Sequence, residues 1–412
     1  MITIEPFRCQ GNCEANASKS YLQRALVIAM LAERQSTLLR CGESDDVEAV
    51  ADVVRRLGAK VSGVETLNIS PAELNLEKDI EINVGESGLA LRMLAPVVSL
   101  FSRTVTIQGE GSLTGRPLQP LLDVLSIAGI SYECREGTLP LKICSAPVSK
   151  VIQIDASFSS QMLTGLLIAL PLVDFDTEIH VSGAVSKPYI DMTLDIIRDF
   201  GASVEVENYQ KFTIPGKQKF KGTTYEIEGD WSGAANFLVA AAVSGDILVE
   251  GLVRNSKQAD RAVIDVLKMF GAAVSFNESG VSVKKKECHP FSVDVTDCPD
   301  LFPILSILAA AARGTSVIDG IARLEYKESN RVEAVREMMK ALGGNIHISG
   351  DRMMIYGKGK LKGGTVDSFN DHRIAMAAAV GACISEEPVN ILQPQSVNKS
   401  FPEFFDKLKR LT

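Results

Sequence analysis

The sequence predicts an α/β protein of two domains, each built from three β-α-β-α-β-β units. Three observations lead there. The chain has 412 residues, past the size at which one hydrophobic core stops growing, and its 46% hydrophobic content can fill two cores. Apolar helices opened by short polar turns recur six times, at intervals of about 70 residues. Five further helices end on a glycine followed by a strand-like alternation.

The apolar helices begin near Ser20, Ser87, Ser160, Ser232, Asp300 and Asp371, and the alanine-rich run 234–242 is typical of them. Helices apolar on most faces belong inside a core. After each comes a short β-like run, such as Thr104-Val105-Thr106-Ile107 or Thr315-Ser316-Val317-Ile318, which ends at a glycine, Gly109 or Gly320. A second, amphipathic helix then stops at Leu57-Gly58-Ala59, Ala128-Gly129-Ile130, Phe200-Gly201-Ala202, Phe270-Gly271-Ala272 or Leu342-Gly343-Gly344. Glycine accepts the left-handed conformation of a helix C-cap, and Ser203-Val204-Glu205-Val206 shows the alternation that follows.

A net charge of −8 with no basic stripe argues against a nucleic-acid partner. The run Lys284-Lys285-Lys286 follows the alternating Val281 and Val283 and reads as the solvated end of a strand. The start, Met1-Ile2-Thr3-Ile4-Glu5-Pro6, has neither a basic nor an apolar targeting region, and no uncharged apolar stretch of about 18 residues occurs, so the expected setting is cytoplasmic, with no membrane contact. Of the cysteines, Cys41, Cys144 and Cys383 lie in apolar or strand-like contexts, and Cys9 and Cys13 lack a second pair or a histidine cluster. Reduced, mostly buried thiols and no metal site are expected.

If the apolar helices of a domain gather their N-termini at one end, their partial positive charges add there and attract anions. The residues at those ends are Lys19, Ser20 and Arg24; Ser87 and Gly88; Ser159, Ser160 and Gln161; Asp371, His372 and Arg373. Serine and aspartate are good N-caps whatever the function. Lys19, Arg24 and Arg373 are different, because a cation at a helix N-terminus opposes the dipole unless an anion sits beside it.

Taken together, these motifs resemble the EPSP synthases (5-enolpyruvylshikimate-3-phosphate synthases) of the enolpyruvyl transferase family, over nearly the whole chain. The match runs in order through Lys19-Ser20-Tyr21-Leu22-Gln23-Arg24, Gly115-Arg116-Pro117, Ser159-Ser160-Gln161, Ser186-Lys187-Pro188-Tyr189, Pro299-Asp300, Lys327-Glu328-Ser329-Asn330-Arg331, Asn370-Asp371-His372-Arg373 and Asn398-Lys399-Ser400-Phe401-Pro402. The resemblance implies a two-domain inside-out α/β barrel. Residues 1–17 and 229–412 would form a discontinuous domain bearing the proton-transfer carboxylates and several phosphoenolpyruvate cations, and 18–228 an inserted domain binding shikimate 3-phosphate, with the active site in the cleft between them.

It also implies transfer of the enolpyruvyl group of phosphoenolpyruvate to the 5-hydroxyl of shikimate 3-phosphate, in the shikimate pathway to chorismate and the aromatic amino acids, by a monomer without cofactor or metal. Lys19, Gly88, Arg116, Gln161, Arg331, Arg373 and Lys399 would bind phosphoenolpyruvate. Lys19, Ser20, Arg24, Ser159, Ser160, Gln161, Ser186, Tyr189, Asp300 and Lys327 would bind shikimate 3-phosphate. Asp300 would be the general base, and Glu328 or Lys19 would protonate the methylene carbon. His372 would be structural. The related enzyme acting on UDP-N-acetylglucosamine, which lacks this motif set, and a non-catalytic anion-binding relative are the alternatives.

The chain departs from the family pattern at three places. Glu86-Ser87-Gly88-Leu89 stands where Asn-Ala-Gly-Thr or Asn-Ser-Gly-Thr is usual, Glu325-Tyr326 stands for Arg-Val near Arg323, and Asn330 stands for aspartate. In that family glyphosate competes with phosphoenolpyruvate against the glycine matching Gly88. Leu89 and Met93, on the helix that sets Gly88, and the added charge of Glu86 therefore predict weaker inhibition.

Overall fold

The computed structural model describes residues 1–412 and divides them into two compact units, Ala17–Ile227 and Met1–Asn16 with Glu228–Thr412. The first unit contains helices α1 (Lys19–Met30), α2 (Asp45–Arg56), α3 (Gly88–Val98), α4 (Gln119–Ile127), α5 (Gln161–Ala169) and α6 (Lys187–Asp199). The second contains α7 (Trp231–Ser244), α8 (Val263–Phe270), α9 (Phe302–Ala311), α10 (Arg331–Ala341), α11 (His372–Gly381) and α12 (Phe404–Arg410).

Odd-numbered helices α1 to α11 are the six apolar ones, and they form the cores. Every residue of α3, α9 and α11 is buried. That burial follows from sequences with no polar face to offer water. The even-numbered α2, α6 and α8 are amphipathic and cover the cores from outside, with Val50, Val53 and Val54 of α2 facing inward. No helix is long and apolar enough to cross a membrane.

All five glycines expected at helix ends are left-handed, with φ of 107° at Gly58, 73° at Gly129, 84° at Gly201, 97° at Gly271 and 76° at Gly343. The same pair of bonds closes each end. At α2, Gly58 N–H donates to the Arg55 carbonyl (3.0 Å) and Ala59 N–H to the Val54 carbonyl (3.1 Å). At α10, Gly343 donates to Lys340 (3.0 Å) and Gly344 to Met339 (2.7 Å). The turn satisfies the last carbonyls of the helix and throws the chain into a strand.

Five sheets have four strands in one arrangement, two parallel neighbours followed by an antiparallel hairpin. Ile80–Asn83 lies parallel to Val105–Gln108, which pairs antiparallel with Thr138–Ile143 and through it with Tyr132–Arg135. In two sheets the first strand comes from a distant part of the chain: Thr224–Glu226 joins Ser36–Leu39, and Gln10–Glu14 joins Asp246–Glu250. The sixth sheet has three strands rather than the four of a complete unit. Gly364–Asp367 pairs with Val389–Leu392, and Ile2–Ile4 supplies the antiparallel partner. Beyond Leu392 the sequence turns through Pro394–Lys399 into α12, with no alternating run to build a hairpin.

Lys284 ends the strand Gly280–Lys284, and Lys285 and Lys286 are exposed. Of the thiols, Cys144 is exposed rather than buried, just past the end of the strand Thr138–Ile143.

Candidate active site

In Ala17–Ile227 the first turns of α1, α3 and α5 are tied together. Gln23 of α1 donates to the Ser87 hydroxyl (3.3 Å), which also caps α3 by accepting from Ala90 N–H. Arg92 of α3 donates to Gln161 Oε1 at the start of α5 (3.0 Å) and to the Gly88 carbonyl (3.3 Å). Ser159 Oγ accepts from Gln161 N–H (3.2 Å), and Ser160 is buried at the N-cap position of α5, where its side chain makes no capping bond. The helix N-termini thus gather as the charge pattern of the sequence requires.

Arg24 is buried and donates through Nε to Thr193 Oγ1 (2.9 Å) and through Nη1 to the Ser20 carbonyl (2.8 Å). Thr193 donates in turn to the carbonyl of Tyr189, in the first turn of α6. Ser186, immediately before α6, is left-handed at φ 54°. Lys19 pairs with Asp46 (2.6 Å). Lys19, Ser20, Arg24, Ser160, Gln161, Ser186 and Tyr189 therefore belong to one bonded region spanning α1, α5 and α6.

Gly88 has a spatial reason to lack a side chain: a Cβ there would stand 2.7 Å from Nη1 of Arg116 and 2.7 Å from Nη1 of Arg92. Only a glycine lets both guanidinium groups close on this helix start. Arg116 donates to Ser112 Oγ (3.1 Å), while its Nε is buried without a hydrogen-bond partner.

In the unit that contains 228–412, one arginine holds three carboxylates. Arg331, the first residue of α10 and fully buried, donates to Asp300 Oδ1 (2.7 Å), Glu328 Oε2 (2.5 Å) and Asp371 Oδ2 (3.1 Å). Asp300 is shared: its other oxygen accepts from Arg373 Nη2 (3.2 Å). Asp371 caps α11 through Arg373 N–H (2.9 Å) and accepts from Ser329 Oγ (3.0 Å). Lys399 donates to the Asn370 carbonyl (2.7 Å), on a turn where Phe369 and Asn370 are both left-handed. Nε and Nη1 of Arg373 remain buried and unpartnered. Leaving buried donors so costs about 1–3 kcal/mol each.

These contacts move the protonation equilibria. Burial alone would raise the Asp300 carboxyl, but the guanidinium of Arg373, then that of Arg331 and the Lys327 amine, outweigh it and hold the group well below the usual carboxylate range. Burial pushes Lys327 down to about 8 against the pull of Asp300. Asp260, bonded to Ser232 of α7, is pushed up to about 7 by burial and then by the charge on Asp300. Arg24 is pushed down to about 10 by burial.

The family model of EPSP synthase (3-phosphoshikimate 1-carboxyvinyltransferase) matches residues 5–408. The chain belongs to that family. A 3-phosphoshikimate 1-carboxyvinyltransferase of Clostridium acetobutylicum is 37% identical over 416 residues, covering 100% of this chain and 97% of its own. The protein of that name from Pyrococcus abyssi is 37% identical over 403 residues, covering 98% and 95%. The solved EPSP synthase of Acinetobacter baumannii superposes with a TM-score of 0.84 at 26% identity, over 99% of this chain and 97% of that one.

The departures from the EPSP synthase pattern now have physical accounts. Asn330 caps α10 by accepting from Glu333 N–H (3.2 Å), a task that asparagine and aspartate perform alike. Arg323 donates to the Thr296 carbonyl, so it serves the adjoining turn. Leu89 is buried in the core, as its apolar character requires. The carboxylate of Glu86 accepts from Ser112 N–H (2.9 Å).

Asp300 lies in the turn Pro299–Leu301, and its two oxygens take arginines rather than cap α9. Sequence reasoning missed Arg92, Asp46 and Asp260. Arg92 did carry a signal: it is the single charge in the apolar helix α3, four residues from Gly88 and so on the same face.

Proposed function

We propose that the protein transfers the enolpyruvyl group of phosphoenolpyruvate to the 5-hydroxyl of shikimate 3-phosphate, releasing phosphate and forming 5-enolpyruvylshikimate 3-phosphate. The observation that carries the reading is the Asp300 carboxylate shared by two buried arginines, one of which keeps two buried donors unpartnered. Family membership and the names of the relatives favour this reaction over the one on UDP-N-acetylglucosamine.

Phosphoenolpyruvate brings a carboxylate and a phosphate, and Arg116, Arg331, Arg373, Lys399 and Lys19, with Gly88 and Gln161, are the residues proposed to receive them. Guanidinium groups suit such anions because their donors match two oxygens at once. Ser159, Ser160, Gln161, Ser186, Tyr189, Ser20, Arg24, Lys19 and Lys327, with Asp300, are proposed to hold shikimate 3-phosphate.

The hydroxyl oxygen attacks C2 while Asp300 accepts its proton, and Glu328 or Lys19 delivers a proton to the methylene carbon. The tetrahedral adduct then loses phosphate as the bond from C2 to the phosphate oxygen breaks and the methyl carbon gives its proton back, restoring the double bond. A carboxylate held as low as Asp300 is a weak base. Once anionic phosphoenolpyruvate takes up the charge of Arg331 and Arg373, the same carboxylate is less stabilised and its proton affinity rises. In this reading the base becomes effective when the substrate is in place.

The test is release of inorganic phosphate from phosphoenolpyruvate by the purified protein. Release that requires shikimate 3-phosphate is expected. Release indifferent to it, or none with both substrates, would overturn the reading and favour a binding protein that has lost the chemistry.

A further inference from the structure

The parallel strands Ile80–Asn83 and Val105–Gln108 end in two loops, one leading through Glu86 to α3 and the other through Gly111–Gly115 to Arg116. Hydrogen bonds stitch these loops together. Gly85 N–H donates to Asn83 Oδ1 within the first loop (2.9 Å), and across the two Glu110 N–H donates to the Gly85 carbonyl (2.8 Å) and Asn83 Nδ2 to Glu110 Oε1 (2.6 Å). The stitch nearest Arg116 is Ser112 N–H to Glu86 Oε2 (2.9 Å), a bond strengthened by the acceptor's charge.

Ser112 then faces the other way with its hydroxyl, which accepts from Arg116 Nη2 (3.1 Å). Gly111 has φ +49°, and a side chain there would overlap the Glu86 carboxylate. The backbone of the Arg116 loop is therefore shaped to receive this carboxylate. On the other side of Ser87, Gly88 leaves room for Nη1 of the same arginine.

We propose that Glu86 is a positioning residue for Arg116: through Ser112 it sets where the guanidinium stands, and so the affinity for the anionic enol phosphate. The inference rests on reading Arg116 as a phosphoenolpyruvate contact. It gives a role to a glutamate that stands where an amide is usual.

The measurement is steady-state kinetics on full-length variants with both substrates varied, each variant checked for an unchanged melting temperature. Glu86→Ala should raise KM for phosphoenolpyruvate about tenfold, with kcat changed less than about threefold and KM for shikimate 3-phosphate unmoved. Glu86→Gln keeps an acceptor of the same length and should bring KM back to within about threefold of the parent. Ser112→Ala should raise KM in the same direction, and the double variant with Glu86→Ala should be no worse than the more affected single variant, because both changes cut one chain.

An unchanged KM in Glu86→Ala, equal impairment in the Ala and Gln variants, or additive effects in the double variant would overturn the inference. Arg116→Ala, run alongside, separates the two claims. If it leaves KM for phosphoenolpyruvate unmoved, the reading of Arg116 itself is wrong. If it raises KM while Glu86→Ala is silent, only the positioning role falls.

Discussion

In residues 17–227 Arg24, Arg92 and Arg116 donate to hydroxyls, carbonyls and an amide, whereas in 228–412 Arg331 alone gathers Asp300, Glu328 and Asp371. The consequence is opposite on the two sides. Arg24 is buried, is bonded to a hydroxyl and a carbonyl, and has its pKa pushed down to about 10; Arg331 is equally buried but its charge is reinforced, because three carboxylates outweigh the burial. A buried cation without a counterion weakens the fold, while one ringed by carboxylates is compensated and sets the basicity of its neighbours.

The largest test of that contrast is a matched pair of truncations. Arg331→Met takes the shared cation from three carboxylates, of which Asp300 keeps Arg373, and should cost about 3–5 kcal/mol of stability, as loss of one partner from a buried ion pair does. Arg24→Met removes a poorly compensated charge and should leave the melting temperature unchanged or higher, while binding of shikimate 3-phosphate falls sharply. Thermal unfolding and titration of both variants decide it. Equal losses of stability would erase the distinction between the two sides.

Next in size is the exchange of Asp300 for asparagine. Turnover should fall by about 10²–10⁴, with affinity for shikimate 3-phosphate within about tenfold, since a general base is lost and the arginines keep an acceptor. Unchanged turnover in single-turnover assays would remove Asp300 from its role.

A smaller effect concerns Lys327, whose pKa of about 8 lies below its ordinary value because burial disfavours the charge. A bound phosphate favours the charged amine, so its pKa should rise on binding and protons should be taken up. Uptake should be largest between about pH 8 and the raised pKa of the complex and fade toward pH 6, where the amine is already protonated. Calorimetry of shikimate 3-phosphate binding in buffers of different ionisation enthalpy measures it, and proton release at pH 8 would contradict the assignment. By linkage, a lowered amine pKa also means that stability rises as pH climbs through about 8 toward the unfolded value.

The smallest expected effect is at α3, where Leu89→Thr should restore part of the sensitivity to glyphosate, by a few-fold, through the first turn that sets Gly88. Tight inhibition of the parent protein would show that this turn is not displaced.

Much of this arrangement was legible in the residues. The five C-cap glycines could be read because a left-handed backbone is a local steric requirement, and all five adopt it. Lys19, Arg24 and Arg373 stood out because a cation at a helix N-terminus opposes the dipole. Asp46, the partner of Lys19, did not stand out, because an acid in the first turn of α2 is expected on dipole grounds alone, and Asp260 lies in the short turn Ala259–Ala262 like any solvated aspartate. The role of Glu86 depends on the φ of Gly111, 25 residues further along the chain and set by the pairing of two strands, which periodicity does not reveal. The three-stranded sixth sheet departs from the six complete units expected, because the chain turns into α12 after Leu392.

The sheets that borrow a strand impose an order on synthesis. Residues 17–227 contain every strand their sheets require, so this stretch can fold as it leaves the ribosome. Ile2–Ile4 and Gln10–Glu14 are made before their partners Val389–Leu392 and Asp246–Glu250, which at ordinary elongation rates emerge roughly tens of seconds later. Through that interval the two segments have no strand to pair with. The composition Gln10-Gly11-Asn12-Cys13-Glu14, with hardly an apolar side chain, is one that can wait without sticking.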